Sequence, residues 1–407
     1  MAGPLSGIRV LDLSRVLAGP WCTQMLADLG AEVIKIERPD YGDDTRQWGP
    51  PWLKDKNGND TSEAAYYLST NRCKHSLTLD ISKPEGRDLV LELASVSDIF
   101  IENFKTGGLS KKGLGYDDVK KVKEDIIYCS ITGFGQDGPR ARQAGYDYLI
   151  QAMGGLMSIT GNADGEPGAG PQRVGVAVAD LTTGMYSTIA IQAALYHRQQ
   201  SGQGQHIDMS LLDTQVSWLA NQASNYIVSG KCPERSGAQH PNLAPYQPFK
   251  TSDGFVILAI GNDGQFQRFC KEANRSDLSE DQRFQTNPLR NANRNELIPE
   301  MEKIMASRSS SGWITSLKEV DVPCGPINTI EDVFEDPQVQ HRGMKIELEH
   351  PVNGKVSGVA NPIKYSETPL HYSKAAPMLG EDTEQVLRHV IGKSKEEIEA
   401  LRKGKII

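Results

Sequence analysis

The sharpest chemistry in this chain sits on one aspartate. Asp180 lies in Val174-Gly-Val-Ala-Val-Ala-Asp180-Leu-Thr-Thr-Gly184, a carboxylate among small and apolar residues ahead of a helical pattern. In such a place aspartate commonly serves as an N-cap, where its oxygen accepts a free backbone N–H and the helix dipole favours its charge. A partly desolvated carboxylate at a helix start can also attack a thioester carbonyl, giving a mixed anhydride and a thiolate. A second constellation is Ser14-Arg-Val-Leu-Ala-Gly-Pro20, between a strand and a helix, with Arg38 at the end of the next strand. Arg72 and Lys74 precede a third strand, Asn103 follows a fourth, and Lys111-Lys112 come soon after. Each cation alone reads as a solvated surface charge. Gathered near strand ends, where open α/β sheets bind ligands, they can neutralise the phosphates of a nucleotide-like cofactor.

Other motifs carry less. Gly133-Phe-Gly135-Gln-Asp-Gly138 matches the dinucleotide fingerprint G-x-G-x-x-G. Pro139-Arg-Ala-Arg142 follows it in place of an apolar helical turn, so it reads as a turn whose N–H groups and arginines can line a phosphate-bearing ligand. No G-x-S-x-G elbow is present, and the eight histidines show no ligand spacing, so no metal is expected. Gly261-Asn262-Asp263-Gly264 is a turn by default, and its functional reading is a mobile lid that keeps water from reactive intermediates.

The elements that must position these residues alternate. Gly7–Asp12, Ala31–Glu37, His75–Ile81, Asp98–Glu102 and Ile126–Thr132 read as strands, and Pro20–Leu29, Pro84–Ser95 and Tyr116–Lys123 as helices. That pattern favours an α/β fold, a Rossmann-like large domain with a parallel sheet and helices on both faces. Helical patterns rich in Ala, Gly and Met run from Tyr146 to about His197, with Asp180 near the start of the second, and then come a strand at His206–Met209 and a helix at Leu211–Val228. The Gly-, Pro- and Asn-rich stretch from Gly230 to Tyr246 reads as a domain connection. A strand at Phe255–Ile260 and helices at Asp263–Ala273, Asn293–Ala306 and Ser311–Glu319 suit a small α+β domain; a last helix is expected at Thr383–Ile391. The domain reading is 1–228 for the first part of the large domain, 229–330 for the small one, and 331–407 for a segment that returns to the large one.

Of the 407 residues, 38% are hydrophobic and 24% charged, ordinary for a soluble globular protein. The net charge of −8 argues against nucleic acid as the main partner. No apolar run approaches the ~20 residues that cross a bilayer, and Met1–Gly7 lacks the zones of a signal peptide. No membrane association is expected, and a cytoplasmic location is, or the mitochondrial matrix if a targeting segment has been removed. The six cysteines are scattered and read as reduced thiols.

Nearly end to end, the chain resembles the family III CoA-transferases, the group of formyl-CoA:oxalate and carnitine CoA-transferases. The residues that carry the likeness are Pro4–Pro20, Gly30–Pro39, Gly42-Asp-Asp-Thr-Arg46, Ala179–Gly184, Val322-Pro-Cys-Gly-Pro326 and Pro377-Met-Leu-Gly-Glu381. The resemblance implies two chains threaded through each other as an interlocked homodimer. It implies that Asp180 is acylated, passing through an anhydride and an aspartyl-CoA thioester, with CoA thioesters as substrates and no tightly bound cofactor. It places Val16, Leu17, Ala18, Arg38, Arg72, Lys74, Asn103, Phe104, Lys111 and Phe134 against CoA, and Arg15, Arg46, Tyr146, Gly261 and Asn262 near the acids.

The chain departs from the formyl-CoA enzymes at Leu17, where they carry glutamine, and at Thr132, where they carry lysine, so formate or oxalate chemistry is not expected. Its runs are most similar to the succinate–hydroxymethylglutarate branch. Succinyl-CoA is then the expected donor, and glutarate, hydroxymethylglutarate, itaconate or a similar dicarboxylic acid the acceptor, its distal carboxylate clamped by Arg15 or Arg46. Two alternatives remain: an α-methylacyl-CoA racemase and a CoA-binding module without turnover. The racemases carry a histidine where Tyr146 stands here, which removes the first of the two bases that proton transfer needs.

Overall fold

Strands whose successive apolar residues point to opposite faces need helices on both sides, and that requirement builds the main layer of this protein. In the computed structural model, which describes residues 3–407, six strands pair parallel throughout. They are β1 (Arg9–Asp12), β2 (Glu32–Glu37), β3 (Lys74–Thr78), β4 (Ile99–Glu102), β5 (Ile127–Thr132) and β6 (Gln205–Ser210), in the spatial order β3-β2-β1-β4-β5-β6. Leu11, Ile34, Leu77, Phe100 and Tyr128 face one side, packed with Leu89, Leu93, Val386 and Ile398. Val10, Val33, Ile99, Ile101 and Ile127 face the other, packed with Cys22, Leu26 and Ile191. The order turns back on itself between β1 and β4, so the loops leaving these neighbours diverge and open a crevice at the carboxyl edge.

The helices that flank this crevice are α1 (Ala18–Asp28), α2 (Pro84–Ser95), α3 (Tyr116–Val122), α4 (Asp147–Met153), α5 (Val178–Ser201) and α6 (Leu211–Ser217). The helices α1 and α5 pack so closely that a Cβ on Gly184 would lie 2.7 Å from the Ala18 carbonyl oxygen. A glycine one turn beyond Asp180 thus lets the helix carrying that aspartate approach the helix that starts at Ala18.

The described residues form two compact units. The first runs to Leu156 and takes in Val174–Ser224 and Gln338–Ile407; the second comprises Met157–Arg173 and Asn225–Pro337. The second unit holds an antiparallel sheet of β7 (Tyr246–Lys250), β8 (Phe255–Ala259) and β9 (Cys324–Pro326), with β8 in the middle. Against it lie α7 (Asp263–Glu272), α8 (Arg294–Met305) and α9 (Ser310–Glu319), around a core of Phe249, Leu258, Phe269, Met301 and Trp313.

The helical patterns expected between Tyr146 and about His197 are separated over 160–177, where Gly161, Gly165, Gly168 and Gly170 take positive φ and Pro167 and Pro171 stand between and after them. Two other expectations about elements need correction. The run expected over Leu211–Val228 breaks before Ala220, whose φ is +43°. Nor is the helix at Thr383–His389 the last, since Lys395–Lys403 follows with a capping box between Ser394 and Glu397.

Candidate active site

The turn between β1 and α1 is held by buried charge. Asp12, wholly buried at the end of β1, accepts from the Ser14 N–H (2.9 Å), the Ser14 hydroxyl (2.5 Å) and the Thr23 hydroxyl (2.5 Å). Burial works against its charge, but Lys74 and Lys35 keep it below the usual carboxylate range. Lys35 donates to the Ser14 carbonyl (2.8 Å) and to Asp43 (2.9 Å), and Asp43 in turn accepts the Val16 N–H (3.2 Å). Val16 has φ +71°, a conformation that a β-branched residue adopts only under compulsion. Asn103, just past β4, grips the same turn from the other side: its Oδ1 accepts the Arg15 N–H (2.9 Å) and its Nδ2 donates to the Arg15 carbonyl (2.6 Å). Val16, Leu17 and Ala18 are thereby set at the sheet's switch point.

Asp180 faces this turn. It occupies the third position of α5, not the cap expected from its sequence neighbours; the cap position is Ala177, whose methyl group cannot accept a hydrogen bond. Burial, and after it the charge of Asp147, push its carboxyl up to about 7. It lines a cleft of about 190 Å³ together with Val16, Leu17, Ala18, Asn103 and Phe104. A second cleft, of about 360 Å³, is lined by Arg38, Asp43, Leu79, Ile81 and Lys112. Arg15 and Phe104 stand in the walls of both, with the guanidinium 5.5 Å from the ring centre. The first cleft suits a reacting acyl group and the second a bulkier, polar-ended portion of the same molecule.

Comparison with known proteins places the chain in a family. The pattern of CoA-transferase family III matches residues 5–383. The chain belongs to CoA-transferase family III. The succinate–glutarate CoA-transferase of Agrobacterium fabrum is 51% identical over 384 residues, 94% of this chain and 95% of that protein. The succinyl-CoA:glutarate CoA-transferase of Mus musculus is 44% identical over 98% of this chain and 89% of its own. The crystal structure of a CAIB/BAIF family protein from Brucella suis superposes with a TM-score of 0.85 at 47% identity, covering 96% of this chain and all of that one.

Within this family III CoA-transferase, several cations expected against CoA or substrate are already committed. Lys74 is fully buried and gives its ammonium hydrogens to Asp12 (3.3 Å), the Pro20 carbonyl (3.0 Å) and Asn71 (2.8 Å); burial lowers its pKa to about 8. It braces the turn from beneath and has no donor left for a phosphate. Arg72 forks onto Asp28 at 2.8 and 2.6 Å and reaches the Val359 carbonyl at 2.9 Å. Arg46 forks onto Glu37, both bonds 2.9 Å, and reaches Glu63 at 3.1 Å and the Pro377 carbonyl at 3.0 Å, above the Tyr67 ring. These two arginines tie the C-terminal return to the first half of the chain, so neither presents a free fork to a ligand. Lys111 is exposed on the 3-10 turn Ser110–Lys112 and outside both clefts, while its neighbour Lys112 lines the second.

The remaining expected residues divide. Arg38 is exposed over the Tyr41 ring, 4.4 Å from its centre, and Tyr146 stands in the wall of the first cleft. Asn103 also lines it, although its amide is spent on Arg15. Phe134 is partly buried and packs against the core cluster that includes Cys22, Ile131 and Leu211. Gly261 and Asn262 belong to the second unit, where the Gln265 side chain accepts the Gly261 N–H at 2.8 Å and Asn262 caps α7 by accepting the Gln265 N–H at 2.9 Å. Sequence reasoning missed Lys35, Asp43 and Asp147. Asp43 carried a signal inside Gly42-Asp-Asp-Thr-Arg46, since Asp at N-cap position before Thr and Arg marks a short helical turn.

Proposed function

We propose that this CoA-transferase moves CoA from succinyl-CoA to a dicarboxylic acid such as glutarate, with Asp180 as the group that is acylated. The observation that carries the reading is the placement of a desolvated carboxylate in the same cleft wall as Val16–Ala18. A carboxylate oxygen of Asp180 attacks the thioester carbon; the C–S bond breaks, giving a succinyl–aspartyl anhydride and CoA thiolate. The thiolate then attacks the aspartyl carbon and succinate leaves, so CoA is held as an aspartyl thioester. The acceptor carboxylate displaces the thiolate to form a second anhydride. Attack of the thiolate on the acceptor's acyl carbon releases the new thioester and restores Asp180. No proton is gained or lost overall, and exclusion of water protects both anhydrides. The names of the relatives support succinyl-CoA and glutarate as the pair.

Incubation with succinyl-CoA followed by peptide mass spectrometry is expected to find a CoA or acyl adduct on Asp180; an adduct on another residue would sink the reading. Only the ionised carboxylate is nucleophilic, so kcat/KM for succinyl-CoA should rise with pH and inflect near 7. A flat profile from pH 5.5 to 8.5 would contradict a desolvated Asp180 as the nucleophile.

Arg15 is the guanidinium assigned to the acceptor's distal carboxylate. It is half exposed and holds only Asp44, at 3.0 Å, across the cleft mouth. Arg15→Lys should raise KM for glutarate by ~10-fold, the loss of about one two-point contact, and leave KM for a monocarboxylic acid unchanged. Equal effects on both acids would remove that assignment.

The assembly we infer is a homodimer of interlocked chains with large and small domains. Its support is the resemblance, a chain path that leaves the first unit and returns to it twice, and the exposed face of Met185, Tyr186, Ile189 and Tyr196 on α5.

A further inference from the structure

The start of a helix normally stabilises a carboxylate placed there, yet Asp180 receives no such help. Every N–H of the first turn of α5 is already taken. That of Val178 goes to the Val176 carbonyl (2.8 Å) and that of Leu181 to the Ala177 carbonyl (3.0 Å). Those of Ala179 (2.8 Å) and Asp180 itself (3.4 Å) go to Oδ1 of Asp147, the first residue of α4. Among the described residues none donates a hydrogen bond to the Asp180 carboxylate. Asp147 is itself fixed. Its Oδ2 accepts from Nε2 of Gln151 (2.7 Å), a fully buried amide whose Oε1 accepts the Val174 N–H (2.9 Å), so the amide can face only one way.

We propose that Asp147, oriented by Gln151, is a positioning residue of the transfer reaction: by taking the free N–H groups of the first turn of α5, it keeps the Asp180 carboxylate unbonded and reactive. The inference rests on the reading of Asp180 as the acylated group. A carboxylate that accepts N–H bonds at a helix start becomes a weaker base and a weaker nucleophile. With Asp147 in place the dipole of α5 is met by a residue outside the reaction, and Asp180 stays a strong base in the same turn. The like charge of Asp147 acts in the same direction.

The other titratable and charged groups near Asp180 do not supply this effect. Tyr66, whose phenol is pushed up to about 12 first by burial and then by Asp180, is neutral through the working range. Tyr146, Arg15, Asp44 and Lys105 line the cleft; α1 carries only Asp28, at its far end and paired with Arg72, and α6 carries Asp213.

The test is the pH profile of kcat/KM for succinyl-CoA in Asp147→Ala, which removes the acceptor and returns the first-turn N–H groups of α5 to the Asp180 carboxylate. The inflection should move down from near 7 by at least ~1 pH unit, kcat at pH 8 should fall by ~10-fold, and KM for succinyl-CoA should stay within ~2-fold. Asp147→Leu, which likewise carries no acceptor but fills the space, is measured beside it and is read in the same way if the alanine variant does not fold. A purely structural role would lower the rate equally at every pH, and an unmoved inflection in a folded variant overturns the proposal. Adduct mapping on the unaltered enzyme separates the two levels: an adduct on Asp180 with an unmoved inflection sinks only the role of Asp147, whereas an adduct elsewhere sinks the reading beneath it.

Discussion

Asp180→Asn should lower CoA transfer by at least ~10³-fold, a loss of ~4 kcal/mol of transition-state stabilisation, because an amide cannot form the anhydride. The same substitution should make the protein more stable at alkaline pH. In the folded state burial and Asp147 raise the Asp180 carboxyl to about 7 from its ordinary 3.8, so folding favours the protonated form. That contribution is full below pH ~4 and is lost as pH rises through ~7. The amide never ionises. Its advantage should therefore be absent near pH 4 and grow to ~1–3 kcal/mol at pH 8, allowing for the partial opening of the side chain to the cleft. Urea unfolding at both pH values, with a transfer assay on the same preparations, checks the pair. Transfer at the unaltered rate would end the mechanism, whatever the stability does.

Arg46→Met is expected to act on folding where the earlier expectation placed it on substrate. The arginine is the shared partner of Glu37 and Glu63, all three nearly inaccessible. Removing it strands two carboxylates in the interior and unties the Pro377 carbonyl. Breaking a buried pair in this way costs ~3–5 kcal/mol, and two anions sharing one cation place this case at the upper end. The sign with pH follows from the same groups. Without Arg46, Glu37 and Glu63 bind protons more readily when folded than when unfolded, so the deficit should shrink at pH 5 and widen at pH 8. Denaturation midpoints at the two pH values measure it. A variant of unaltered stability that has lost only its affinity for dicarboxylic acids would restore Arg46 as a clamp.

Several errors of sequence reading share this origin. Arg72 and Lys74 read as ligand cations because they fall at strand ends, where ligands bind, and Arg46 read as one through the resemblance. Chain position did not reveal that Glu37, Asp28 and Asp12 would be brought within reach of them from other strands and helices. The final helix was legible in Ser394-Lys-Glu-Glu397, a capping box, and was overlooked.

Local signals settled what depends on local energetics. The strands β1 to β5 and the helix α2 follow from runs of apolar residues bounded by Gly, Pro and Asn, since a strand buried on both faces admits little else. The motif around Asp180 likewise marked a helix start before any fold was known. The identity of the residue capping that helix was decided only in three dimensions. Asp147 lies 33 residues from Asp180 in the chain, and whether a carboxylate is quenched or left reactive depends on which donors reach it through space. The same holds for every buried charge around the β1–α1 turn: each is tolerated only beside its partner, and the partners are joined by the sheet, not by the order of residues.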